Sequence, residues 1–166
     1  VPFTANVAFP LPSGALLTMR TDGSFDYNPN GQFEALAPPP SEPGEDSFEY
    51  TLSDGQGGTA IATVTITIDG VDDPPEAVND SATVGEDSGA NILDVLANDT
   101  DIDGGPILIG AVQSPSTNGG MVLITGGGTG LTYQPSLNYC NTPIPPGVVD
   151  TFTYTLTPGS PTATVS

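Results

Sequence analysis

The chain repeats itself. Phe25-Asp26-Tyr27-Asn28-Pro29 returns as Leu131-Thr132-Tyr133-Gln134-Pro135. Asp46-Ser47-Phe48-Glu49-Tyr50-Thr51-Leu52 returns as Asp150-Thr151-Phe152-Thr153-Tyr154-Thr155-Leu156. Thr59 to Thr65 returns more loosely as Thr162 to Val165. The spacing is roughly 105 residues, the length of one small domain, so the chain reads as a tandem array rather than a single fold.

The repeated segments are strand-like. Between Thr59 and Ile68, apolar Val64, Ile66 and Ile68 alternate with Thr63, Thr65 and Thr67, the period-two pattern of a half-buried strand. Phe48-Glu49-Tyr50-Thr51-Leu52 and Phe152-Thr153-Tyr154-Thr155-Leu156 alternate in the same way. Turn signals separate these runs at Asp22-Gly23, residues 54–58, Asp103-Gly104-Gly105 and Pro158-Gly159. The best helical window is residues 32–37, one or two turns before Pro38-Pro39-Pro40 stops it. Short strands spaced by turns predict an all-β sandwich or barrel.

The sequence is out of phase with its own repeat. Residues 75–106 open the second unit and have no counterpart ahead of Val1, and Ser166 falls short of the equivalent of Ile68. The expected division is a first module over 1–70 without its opening strands, an acidic junction over 71–76, and a second module over 77–166. Unpaired strand edges are sticky, so either a longer protein continues at both ends or neighbouring chains complete the units. Val1, Phe3, Ala5, Val7, Phe9 and Leu11 are apolar at odd positions. Val1 to Val7 is read first as the unit's own strand, equivalent to Ile107 onward, and the run alternatively as a strand donated to a neighbour.

Composition excludes whole classes of chemistry. The net charge is −19, from 20 acids against the single base Arg20, with no His and no Trp. Without His or Lys there is no Ser-His-Asp triad, no Schiff base and no P-loop. Zinc and copper sites lose their commonest ligand, and phosphate contacts to nucleic acid lose theirs. The charge opposes anionic membrane surfaces, and no apolar run approaches the ~18 residues of a spanning helix. An acidic chain with 21 Gly and 18 Pro could be disordered, but the ordered alternation argues for a fold. What the composition favours is hard-cation chemistry on carboxylates.

Three stretches carry a family resemblance: Ala77-Val78-Asn79-Asp80 through Leu93-Asp94-Val95-Leu96-Ala97-Asn98-Asp99-Thr100-Asp101-Ile102-Asp103-Gly104, then Leu131 to Pro135, then Asp150 to Leu156. They resemble the bacterial immunoglobulin-like and cadherin-like repeats of large secreted surface proteins. The first unit, with Asp22-Gly23-Ser24-Phe25-Asp26-Tyr27 and Ser53-Asp54-Gly55-Gln56-Gly57-Gly58-Thr59, is similar to the VCBS repeats of the same proteins. The resemblance implies extracellular antiparallel β-sandwich modules strung in tandem, stalks or spacers of adhesins and fibres, many with Ca²⁺ at module junctions. The Pro-rich loops at 38–43 and 143–147, and Cys140, depart from the pattern.

Two acidic clusters suit such an ion. Asp69, Asp72, Asp73, Glu76 and Asp80 surround the junction, with Glu86 and Asp87 following, and Asp99-Thr100-Asp101-Ile102-Asp103-Gly104 forms a D-x-D-x-D-G turn. Ca²⁺ takes six to eight oxygens, and alternate carboxylates supply a partial cage. Gly110 stands where an EF-hand needs its closing Glu, so that motif is excluded. The expected ligands are Asp72, Asp73, Glu86, Asp99, Asp101 and Asp103. The alternative is a solvated acidic surface that aids solubility, with Asp103 only shaping its turn. A paired-carboxylate glycosidase would need a pocket and an acid of raised pKa, whereas these acids sit in turns, so the chain is expected not to be an enzyme.

Phe25, Tyr27, Phe48, Tyr50, Tyr133, Phe152 and Tyr154 are expected in the cores with tyrosine hydroxyls at the rim; a glycan platform is open only to exposed aromatics such as Tyr139. Cys140 suggests a disulfide to a segment outside the chain, or alternatively a small buried apolar residue. The expected function is mechanical, a spacer stiffened by Ca²⁺, with neighbouring repeats or identical chains as partners and an extracellular or cell-surface location. The alternatives are a filament subunit completed by strand exchange and a ligand-binding adhesin domain.

Overall fold

Alternating β-branched and aromatic runs, cut by Gly and Asp turns, leave the chain little choice but hairpins. A computed structural model describes residues 5–140 and 149–166, and shows strands and turns with no helix among them. The stretch 1–3 and the loop 143–147 singled out above lie outside the described residues. The chain divides into two compact units, 1–72 and 73–166.

Unit 1 holds five strands: β1 (Ala8–Pro10), β2 (Leu16–Met19), β3 (Phe25–Asn28), β4 (Gly44–Ser53) and β5 (Thr59–Ile68). β1, β2 and β3 form one antiparallel meander, and β4 pairs antiparallel with β5 along all ten residues, Phe48 opposite Val64 and Tyr50 opposite Ala62. Leu11, Leu17 and Phe48 are buried between the sheets, with Phe9, Met19, Tyr27, Tyr50, Val64 and Ile66 half-buried around them. The Phe25 and Phe48 rings meet edge to face with centroids 5.2 Å apart, joining β3 to β4.

Unit 2 holds β6 (Asn91–Leu93), β7 (Leu108–Val112), β8 (Met121–Thr125), β9 (Gly130–Gln134), β10 (Phe152–Thr157) and β11 (Thr162–Val165). Its sheets run β6-β9-β8 and β11-β10-β7, every strand pair antiparallel. Between them lie Val95, Ile109, Val122, Leu131, Tyr133, Phe152, Tyr154, Leu156, Ala163 and Val165, a much deeper core than that of unit 1. Tyr133 of β9 stacks on Phe152 of β10 at 5.7 Å. The segment ahead of β6 also joins this unit: Asp80 bridges Val165 in parallel, with Asp80 N donating to Thr164 O at 3.0 Å and Ser166 N to Asp80 O at 3.1 Å.

One expectation changes. Residues 32–37 form turns instead of a helix; Gln32 N donates to Pro29 O and Leu36 N to Phe33 O, each at 3.1 Å. So short a run cannot offset helix nucleation. Ala5 and Asn6 lie in a turn whose Asn6 N donates to Met19 O, and the strand that follows, β1, pairs with β2, whereas β7 pairs with β10. The reading of Val1 to Val7 as the equivalent of Ile107 onward falls largely on residues 1–4, outside the described residues.

Candidate functional site

The D-x-D-x-D-G turn of unit 2 is the place to look for an ion. Asp103 N donates to Asp101 Oδ1 at 3.0 Å, which folds the turn back on its own carboxylate. Asp103 Oδ2 accepts the Asp73 amide at 2.6 Å, fastening the start of unit 2 to the turn. Asp103 Oδ1 is buried and has no hydrogen-bond partner. A buried carboxylate oxygen left unpaired costs free energy, and a hard cation is the group that would satisfy it. Asp103 thus has an unpaired buried oxygen to offer a cation, and Asp101 shares its turn.

Asp99 and Glu86 are engaged elsewhere. Asp99 is buried, its Oδ1 accepting the Val78 amide at 2.7 Å. Glu86 lines a separate cleft with Tyr133, Tyr139 and Cys140. Asp72 is exposed at the end of unit 1. Among the described residues no three acidic, His or Cys side chains gather closely enough to hold a metal by themselves.

Asp99 instead belongs to a hub around Tyr154. The Tyr154 side chain is wholly buried, and five oxygens lie 2.9–3.2 Å from its hydroxyl: Val78 O, Asp80 Oδ2, Val95 O and both carboxylate oxygens of Asp99. One phenolic proton serves them all. Burial, and then the Asp99 and Asp80 carboxylates, push the Tyr154 phenol far above the ordinary tyrosine range. Burial likewise raises Asp80, against the hydrogen bond from Tyr154 and with help from the Asp99 charge. The hydroxyl was expected at the rim; it lies at the centre because the 78–80 segment and the 95–99 turn both close over it.

A second polar motif recurs in both units and was not anticipated. Asp150 accepts Ser116 Oγ at 2.5 Å, Tyr133 Oη at 2.6 Å, Asn118 N at 2.8 Å and Thr117 Oγ1 at 2.9 Å. Asp46 accepts Ser13 Oγ at 2.6 Å and Tyr27 Oη at 2.8 Å. Burial acts to raise both acids, but these donors outweigh it and hold both below the usual carboxylate value. The signal was present in the sequence, since each Asp stands two residues before a repeated Phe and each Tyr inside a repeated strand.

Tyr139 is half-buried, its hydroxyl accepting from Asn118 Nδ2 at 3.0 Å, which ties it to the Asp150 network. Cys140 is exposed, so the alternative of a buried apolar cysteine does not hold. Among the described residues no helix is long and apolar enough to cross a membrane.

No curated protein and no solved structure matches the chain. Residues 2–70 match the bacterial cadherin-like domain, and residues 72–166, more than half of the chain, match the bacterial Ig domain. Such domains suggest structural repeat modules, are typically non-enzymatic, usually occur in extracellular surface proteins and, in the cadherin-like case, commonly bind Ca²⁺. With two all-β units of antiparallel strands, the chain belongs to the bacterial Ig domain family, joined here to a bacterial cadherin-like domain.

Proposed function

We propose that this chain is a spacer element of an extracellular fibrous or adhesin-type protein, with Ca²⁺ fixing the path of the chain as it enters unit 2. The observation that carries the reading is Asp103: Oδ2 holds the Asp73 amide while Oδ1 is buried and unpaired. An ion bound by Asp103 and Asp101 would satisfy that oxygen and lock the residues that follow Asp72. Local repulsion among the junction acids falls when the cation is present. The acids best placed for chemistry support a mechanical role as well, since Asp46 and Asp150 spend their lone pairs on internal donors.

The test is calorimetry and small-angle scattering of the full chain in Ca²⁺ and in EDTA, with wild type beside Asp103→Asn. Calcium should raise the melting temperature of unit 2 and narrow the distribution of dimensions in wild type only. Identical profiles with and without the ion would remove Ca²⁺ from the reading.

A further inference from the structure

We propose that unit 1 is a strand acceptor: the face of β4 around Tyr50 and Leu52, with the outer edge of β5, takes up an extended acidic segment from outside the unit. The occupant is the opening segment of another module of this kind, with the chemistry that residues 77–99 have in unit 2. The inference builds on the modular reading of the chain but not on Ca²⁺.

The two units carry the same strand with different cover. Phe152, Tyr154 and Leu156 are 3%, 0% and 1% exposed; of their twins, Phe48 is 9% exposed, Tyr50 is half-buried and Leu52 is 58% exposed. In unit 2 the cover comes from outside the hairpin, for Val95 belongs to the same core cluster, and Ala77, Val84, Leu93, Leu96 and Ile107 pack against it. Among the described residues, the core of unit 1 draws on β1–β5 and on Leu11 beside β1. The uncovered surface is continuous with the packed interface between the sheets at Phe48.

The polar pattern points to the same occupant. Tyr50 faces Ala62 across its hairpin as Tyr154 faces Ala163. The Tyr154 hydroxyl is met by Val78 O, Asp80, Val95 O and Asp99, while no residue of the described structure hydrogen-bonds the Tyr50 hydroxyl. A donor that lacks acceptors complements a segment that brings carboxylates and carbonyls. The backbone agrees. Phe48 opposite Val64 matches Phe152 opposite Val165, so Thr63 and Thr65 stand where Thr164 and Ser166 stand. In unit 2 those two positions bind the arriving segment: Thr164 N donates to Asn79 Oδ1 at 2.8 Å and Ser166 N to Asp80 O at 3.1 Å. Adding a strand to an open edge is an established recognition mode.

The experiment titrates the full chain with a synthetic peptide of residues 75–100 and follows amide exchange by NMR. Slowed exchange is expected at Thr63 and Thr65. Tyr50→Phe should weaken binding about tenfold, the loss of one charge-assisted hydrogen bond. Leu52→Asp, at an exposed position, should weaken it further. Self-association of the chain without peptide, with the same two amides protected, also supports the proposal and identifies a second copy as the source. Absence of saturable binding, protection at Thr164 and Ser166 instead, or an affinity unchanged in both variants overturns it. Because the Ca²⁺ response of unit 2 is a separate readout, failure here leaves the spacer reading standing.

Discussion

The hydroxyl of Tyr133 donates to Asp150 Oδ2 at 2.6 Å, and that of Tyr27 to Asp46 Oδ2 at 2.8 Å. Each bond ties a strand of one sheet, β9 or β3, to the start of a strand of the other, β10 or β4. A serine hydroxyl joins each pair, from Ser116 and Ser13. The serines reach their acids from different places in equivalent turns: Ser116 N donates to Gly120 O, as Leu11 N does to Ala15 O. The carboxylate and the phenol are thus the fixed parts of the clamp, and the turn supplies whatever donor it has.

Removing the phenol oxygen tests the clamp. Tyr133→Phe should cost about 1.5 kcal/mol, because the bond ends on a charged acid while Asp150 keeps its other donors. That lowers the melting temperature of unit 2 by about 6–12 °C. Tyr27→Phe should cost less, about 0.5–1 kcal/mol, since Tyr27 and Asp46 are only half-buried. Calorimetry of the two variants decides it; an unshifted unit 2 transition in Tyr133→Phe would show that the bond adds nothing.

Acid should act on two parts of unit 2 in opposite directions. Asp150 sits below its ordinary value of 3.8, so its clamp is fully stabilising above that pH and is lost as pH falls through the lowered value. Asp80 sits above 3.8, raised first by burial and then by the Asp99 and Asp94 charges, against the hydrogen bond from Tyr154. Its folded form binds the proton more readily than the unfolded one, so its contribution is favourable at low pH and declines as pH rises through the raised value. Asp80→Asn keeps an acceptor for Tyr154 and removes the charge beside Asp99. The variant should melt higher than wild type at pH 7 and at the same temperature near pH 3. A variant that melts lower at pH 7 would mean that the Asp80 charge stabilises the hub.

Much of this fold was legible because alternation is a local property. The Phe48 and Phe152 runs announced their strands, and the repeat announced the matching hairpins β4-β5 and β10-β11. The acids were harder to read. Asp99, Asp101 and Asp103 alternate along one short turn, which suggested a shared cage. Tertiary closure decided otherwise: Asp99 is drawn under Tyr154, while Asp103 takes the Asp73 amide. Neighbouring positions in a turn do not fix which way each carboxylate is recruited. The depth of Tyr154 was also beyond reach, because its five oxygens come from segments more than fifty residues away.

The orphaned oxygen of Asp103 yields a prediction in the absence of calcium. Asp103→Asn keeps an acceptor for the Asp73 amide and removes a buried charge that has no counterion in EDTA. Unit 2 of the variant should therefore melt no lower than wild type in EDTA and should fail to gain when Ca²⁺ is added. Asp99→Asn is the contrast. It disturbs the Tyr154 and Val78 contacts, should destabilise unit 2 by about 1–3 kcal/mol, and should leave the gain from Ca²⁺ in place. Differential scanning calorimetry with and without EDTA separates the two patterns, and loss of the calcium gain in Asp99→Asn would assign the ion to the Tyr154 hub instead.

Leu52 and Leu156 are the sharpest test of how differently two copies of one strand are used. They end the same repeated run, yet Leu156 is 1% exposed and Leu52 is 58% exposed. Leu156→Ala opens a cavity within a cluster that includes Tyr154, Ile109 and Val95, and should cost about 2–5 kcal/mol. Leu52→Ala empties no cavity, because solvent already occupies the space, and should stay within about 0.5 kcal/mol of wild type. If the peptide of residues 75–100 does cover β4, the asymmetry must shrink on binding. Leu52 would then be buried, and Leu52→Ala would lose part of the stabilisation that the peptide gives to unit 1. Melting both variants with and without peptide reads this directly. A cost for Leu52→Ala that is the same in the two conditions would mean that the peptide never covers β4.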